Sequence, residues 1–155
     1  MKLVLFGDGQ MGRAVAARAR AAGHEIAAIF TELDPLDAVA SRIRGADAAI
    51  DFSAAEGVLD HAKLSAQAGV ALVEGTTGWQ AQQHDVRAVI EQSRGAMVFG
   101  ANFSVGVNLF YRLVSRAGEM FRGLDAYGAY IEEAHHARKR HCFWIVCRNS
   151  DSCEH

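Results

Sequence analysis

The residues best equipped to move protons stand together in "IEEAHHARKR", residues 131–140: His135, His136 and Lys139, with Arg138 and Arg140 around them. Histidine titrates nearest neutral pH, and an adjacent ammonium can give a second proton or hold an anion. Such a basic cluster suits a small molecule that carries carboxylates. The ordinary alternative is a solvated basic face. A zinc centre needs three or four ligands at recognisable spacing. Glu133 and His135 reach that number only if Cys142, Cys147 and Cys153 fold back onto them, so no metal is assigned. Nucleic acid is a poor fit to "RKRH", because the chain carries net charge −2 and the run has no interleaved aromatic platform.

A second chemistry-bearing stretch lies at the other end. In "LFGDGQMGR" Gly7, Gly9 and Gly12 form G-x-G-x-x-G directly after an apolar run and at the start of a helical segment. Each glycine has a physical task there. Gly7 permits a tight turn, Gly9 lets backbone approach a pyrophosphate, and Gly12 lets helix and strand pack closely. The phosphates then rest on the free N–H groups of the helix N-terminus, over Asp8, Gln10 and Met11. Glu32 stands 20 residues beyond Gly12, just past the next apolar run, where an acid can hold a ribose 2′-OH. That leans towards NAD. Arg13 could offer charge to a 2′-phosphate, so NADPH stays open, and Glu32 could equally be a solvated loop acid.

The elements that must position these groups alternate in type. Strands are expected at 2–6, 25–30, 48–53, 70–74 and 96–100, and helices at 11–22, 35–43, 55–68, 80–94 and 105–121. Gly23 closes the first helix and Pro35 opens the second from its first turn. Ala55, Val58, Leu59, Ala62 and Ala66 share one helical face; Val86, Val89 and Ile90 share another. In the last helix the stripe is Val107, Phe110, Val114, Ala117 and Phe121. "AYGAYIEEAHH" then looks like the opening of a second sheet. Strands that are apolar throughout, separated by helices, predict a doubly wound parallel α/β sheet covered on both faces.

In such a sheet ligands bind beyond the carboxyl ends of the strands. That edge collects the glycine loop, "DFS" (51–53), "GTTG" (75–78) and "GANFS" (100–104). Glycine, serine and threonine are common in any turn. Their recurrence at three successive strand ends points to a lined cleft.

Composition narrows the class further. Half of the 155 residues are hydrophobic, and no stretch approaches the ~20 continuous apolar residues of a membrane span. The apolar run in "MKLVLFGDGQ" is too short for a secretory signal. All three cysteines lie beyond residue 141, so the body does without disulfides, as expected in a reducing cytoplasm.

Taken together, "GDGQMGR", "DFS", "EGTTG", "ANFSVGVN" and "EAHHARK" resemble, in order and spacing, the dihydrodipicolinate (4-hydroxy-tetrahydrodipicolinate) reductases of the diaminopimelate route to lysine. The resemblance covers residues 1 to about 140, and its two last motifs are more specific than the glycine loop. It implies a Rossmann-type domain over 1–104 and, over 105–140, the first elements of an α+β domain that binds substrate and builds a homotetramer. It implies a cofactor, NADH or NADPH, held by Gly7–Gly12, by Gly75, Thr76 and Thr77 towards the nicotinamide, and by Gly100, Ala101, Asn102 and Phe103. It also implies His135 as catalytic proton donor or acceptor, Lys139 as second proton donor and His136 as a contact to a cyclic dicarboxylate.

Residues 141–155, "HCFWIVCRNSDSCEH", depart from this pattern. The family continues after the lysine with Asp-Ala-Pro-Ser-Gly-Thr, whose last three residues grip a substrate carboxylate. Here alanine, abundant before, vanishes, all three cysteines appear, and Trp and Asn, rare before, recur. Two explanations stand: a shifted reading frame after about residue 140, or a divergent natural tail. Either leaves most of the substrate domain unaccounted for, so little or no turnover is expected from these 155 residues.

Overall fold

A computed structural model describes residues 1–128 and 130. Five strands form one parallel sheet: β1 (Lys2–Phe6), β2 (Glu25–Phe30), β3 (Ala48–Asp51), β4 (Ala71–Glu74) and β5 (Met97–Phe99), in the order β2-β1-β3-β4-β5. Between them run α1 (Gln10–Ala21), α2 (Leu36–Arg42), α3 (Val58–Ala68) and α4 (Gln83–Gln92). The first compact unit is Met1–Val105. The following helix, α5 (Val105–Phe121), spans the stretch expected from its apolar spacing.

The order of strands decides where the helices lie. From β1 to β2 the chain steps one way along the sheet, and from β2 onward it steps only the other way. Right-handed crossovers therefore place α1 on one face and α2, α3 and α4 on the opposite face. The core follows that division. Val4, Phe6, Phe30, Ala49 and Leu72 pack with Val39 of α2, Val58 and Ala62 of α3 and Val86 of α4 in one buried cluster. Leu3 and Leu5 are buried on the other side, where α1 contributes Gly12, Ala16 and Ala19.

Coverage of both faces is less complete than the strand composition suggests. β3 and β4 bury alternate residues and leave Ala48, Ile50, Ala71 and Val73 half-buried, and Val98 of β5 is 53% exposed. The reason is topological: within this unit α1 alone covers that face, and it lies against β1 and β2.

Element ends are set by local chemistry. Gly23 (φ 80°) and Gly69 (φ 69°) take the left-handed conformation that closes α1 and α3, with His24 N–H donating to Ala19 O and Val70 N–H to Ser65 O. α4 closes in the same way on a non-glycine residue, Arg94 (φ 53°). Pro35 precedes α2 as its extended N-cap rather than lying in the first turn. The expected helices at 55–68 and 80–94 each begin as a 3₁₀ turn, Ala55–Gly57 and Gln80–Gln82. Strands β3 and β5 end earlier than expected because Phe52, Ser53 and Gly100 turn into the loops that form the site, while β4 and β5 each start one residue late, at Ala71 and Met97. Residues 126–128 and 130 are not in a strand; the rest of the expected second sheet lies outside the described residues.

Candidate functional site

The last residues of the five strands lie in register, as Phe30, Phe6, Asp51, Glu74 and Phe99 across the sheet. The loops beyond this row make two clefts.

The larger cleft, about 360 Å³, lies where the chain reverses its stepping, beyond β1, β2 and β3. Its walls are Gly7, Asp8 and Gly9; Thr31, Glu32 and Leu33; and Phe52, Ser53 and Ala54. The glycines differ in what surrounds them. At Gly7 (φ 93°) a Cβ would stand 2.5 Å from Phe52 O, and at Gly12 it would stand 2.0 Å from Gly7 O. A side chain is impossible at either without moving backbone. At Gly9 a Cβ would meet nothing within 4 Å. Gly9 is also the N-cap of α1, so no N-cap side chain takes up the first N–H groups of the helix.

Glu32 comes to this cleft through a tight turn. The Asp34 carboxylate accepts Thr31 N–H at 2.8 Å and Thr31 Oγ1–H at 3.0 Å, while Asp34 N–H donates to Thr31 O at 3.1 Å. The backbone bond from Thr31, then its hydroxyl, hold the Asp34 carboxyl below the ordinary aspartate range, with a further contribution from Arg42. Arg42 stands 4.0 Å from Asp34 and lies over the Phe30 ring, 5.1 Å from its centroid.

The smaller cleft, about 100 Å³, lies beyond β4 and β5 and brings Thr76 and Thr77 together with Gly100 and Ala101. Trp79 forms part of its wall, its Nε1–H donating to Thr76 O at 2.9 Å and its ring edge-on to Phe99. Several expected contacts fall elsewhere. Gly75 is needed for the Phe52 ring, which a Cβ would meet at 2.2 Å, and it lines neither cleft. Gln10, Met11, Asn102 and Phe103 also lie outside the two linings, and the Asn102 side chain accepts Ser104 N–H at 2.8 Å. His135, His136 and Lys139 lie outside the described residues.

Behind the two clefts is a buried polar cluster that sequence reasoning did not isolate. Asp51 and Glu74, both fully buried, are neighbours on β3 and β4. His61 of α3 donates from Nδ1 to Asp51 Oδ2 at 2.6 Å, and its ring stacks on Phe6 with centroids 3.9 Å apart. Asp51 Oδ1 accepts Ser53 N–H at 2.8 Å and Thr76 Oγ1–H at 3.3 Å, and Glu74 Oε1 accepts Thr76 N–H at 2.7 Å. Burial first, then the Asp51 charge, push Glu74 up to about 8 against the opposing hydrogen bonds from Thr76. The available signal was positional: two acids ending adjacent apolar strands, and one histidine among the apolar residues of the intervening helix.

Comparison with known proteins agrees with this architecture. Residues 1–103 match the family model described as dihydrodipicolinate reductase, N-terminus. A 4-hydroxy-tetrahydrodipicolinate reductase of Christiangramia forsetii is 30% identical over 90% of this chain and 57% of its own length. One from Anaeromyxobacter sp. is 41% identical over 68% of this chain and 38% of its own. A solved structure from Sinorhizobium meliloti 1021, described as a candidate myo-inositol dehydrogenase, overlays with TM-score 0.55 at 17% identity, covering 64% of this chain and 36% of that one. That likeness concerns the fold alone. The chain thus spans little more than half the length of the first of these relatives, and over that span it belongs to the dihydrodipicolinate reductase family.

Proposed function

We propose that this chain carries the nucleotide-binding part of a 4-hydroxy-tetrahydrodipicolinate reductase and binds NADH or NADPH at the carboxyl edge of its sheet. One observation carries the reading: Gly7 and Gly12 are closed against backbone, while Gly9 stands free at an uncapped helix N-terminus facing a cleft. Open space at Gly9 fits a pyrophosphate taking the N–H groups of the first turn, Gln10 and Met11 included. Glu32 lines the same cleft, and an acid there would accept from a ribose 2′-OH, a reading that leans towards NADH. Thr76, Thr77, Gly100 and Ala101 offer hydroxyls and small backbone at the second cleft, where the nicotinamide end fits.

When bound, the nicotinamide supplies a hydride to C4 of the cyclic dicarboxylate, with loss of water. The chain's own residues do the rest. His135 and Lys139 give and take the protons, and His136 contacts the substrate, roles that rest on the "EAHHARK" resemblance. The expected setting is the cytoplasm, and the expected assembly is the family homotetramer. No helix among the described residues is long and apolar enough to cross a membrane. Because the clefts need no residue beyond 101, cofactor binding without turnover is the second reading.

Calorimetry with NADH and NADPH on the 155-residue chain tests the proposal, followed by turnover of the cyclic substrate. Saturable binding supports it, and turnover then separates an enzyme from a binding module. No saturable binding of either dinucleotide rejects both readings.

A further inference from the structure

The buried acids Asp51 and Glu74 differ in how their oxygens are used. Asp51 has both oxygens occupied as acceptors, Oδ1 by Ser53 N–H and Thr76 Oγ1–H, Oδ2 by His61 Nδ1–H. This is the pattern of an ionised carboxylate. Glu74 Oε1 accepts Thr76 N–H, but Glu74 Oε2 is buried with no donor directed at it. A buried carboxylate oxygen without a donor is costly, and a second negative charge beside Asp51 more so. A proton on Oε2 removes both costs at once, because the acid then becomes a donor and its neighbour on β3 is an acceptor.

We propose that Glu74 is held as a neutral acid whose Oε2 proton is donated to the Asp51 carboxylate, and that this hydrogen-bonded pair is the positioning device for the cofactor loops. The inference rests on the dinucleotide reading for its ligand, not for its proton. The pair grips backbone on both sides: Ser53 lines the larger cleft and Thr76 the smaller one. Loss of the proton puts two charges side by side under these loops, and the loops lose the geometry that the dinucleotide needs. The upward displacement of Glu74 to about 8 agrees with this arrangement. Among the described residues, the titratable groups facing Glu74 are Asp51 from β3 and, through it, His61 from α3; β5 presents Phe99 and the loop presents Thr76. The charged pairs Asp60–Lys63 on α3 and Arg87–Glu91 on α4, and His84–Asp85 beside them, are exposed.

Glu74→Gln is the informative variant, since its amide makes the donor permanent and keeps an oxygen for Thr76 N–H. NADH affinity of the wild-type chain should hold from pH 6 to 7 and then weaken, at least tenfold by pH 9.5. Glu74→Gln should match the wild type at pH 6.5 and keep that affinity at pH 9.5; Glu74→Leu should bind at least tenfold more weakly throughout. Infrared difference spectra between pH 6.5 and 9.5 provide a readout without cofactor. A protonated-carboxyl band should be present in the wild type at pH 6.5, lost at pH 9.5, and absent from Glu74→Gln. Absence of that band from the wild type overturns the proposal, as does pH-independent NADH affinity in a chain that binds NADH. Should the wild type bind no NADH at any pH, the dinucleotide reading fails, the claim about the loops falls with it, and the infrared band still decides the proton.

Discussion

His61 joins two parts of the fold at once: its Nδ1 donates to Asp51 Oδ2 across 2.6 Å while its ring lies flat on Phe6, centroids 3.9 Å apart. The contact ties α3 to the ends of β1 and β3. His61→Ala removes a stacked ring and leaves Asp51 Oδ2 without a donor. The expected cost is about 2–4 kcal/mol, read as a lower denaturation midpoint with an unchanged denaturant slope. A change below about 0.5 kcal/mol would show that the cluster is not structural.

The glycine loop separates folding from binding. Gly9→Ala meets nothing in the folded chain, so its melting temperature should stay within about 2 °C of wild type while NADH affinity falls at least tenfold. Gly12→Ala drives a methyl into Gly7 O and should cost about 1–3 kcal/mol with or without cofactor. If Gly9→Ala leaves NADH affinity untouched by calorimetry, the pyrophosphate does not lie on this loop.

Glu32 bears on cofactor choice. Glu32→Ala deletes a side-chain acceptor at the cleft and should weaken NADH by about tenfold, in line with the loss of one hydrogen bond. NADPH should bind equally well or better, because the repulsion of a 2′-phosphate disappears. An unchanged ratio of the two affinities would place the ribose elsewhere.

Stability should depend on pH through Glu74. Its carboxyl is raised from 4.5 to about 8 in the folded chain, so between those values the folded state keeps a proton that the unfolded state releases. Stability is then full below about pH 4.5, declines as pH rises and levels off above about 8. The slope from this group is at most about 1.4 kcal/mol per pH unit, or about 3–5 °C in melting temperature. Thermal scans of Glu74→Gln should lack that component, and a slope shared by both proteins would assign it to other groups.

Arg94 occupies the left-handed position after α4 that glycine takes after α1 and α3. Its neighbours already make the closing bonds, with Arg94 N–H donating to Glu91 O and Gly95 N–H to Ile90 O. Arg94→Gly relieves the conformational penalty and should stabilise the chain by about 0.5–1 kcal/mol in chemical denaturation. Destabilisation would mean that the arginine side chain contributes more than its backbone costs.

Much of the fold is legible in residue order. The alternation of apolar runs with helical segments located the five strands and five α-helices of the described residues, and "GDGQMGR" placed a glycine-rich loop after β1. Errors gathered at strand ends and helix starts, where Ser53 and Gly100 leave the ladder to form loops and where α3 and α4 begin as 3₁₀ turns. Local preference is weakest at such boundaries, and tertiary hydrogen bonds decide them.

The sequence by itself determined the class of fold, the glycine-rich turn after the first strand and the family, because these depend on periodicity and on residues close together in the chain. Only the tertiary structure decided that α1 is on the opposite face from α2, α3 and α4, that Gly75 serves the Phe52 ring, and that Asp51, His61 and Glu74 meet. Those three residues stand on three successive elements, β3, α3 and β4. Strand register and the packing of α3 bring them together, and burial then gives an ordinary glutamate a proton to keep.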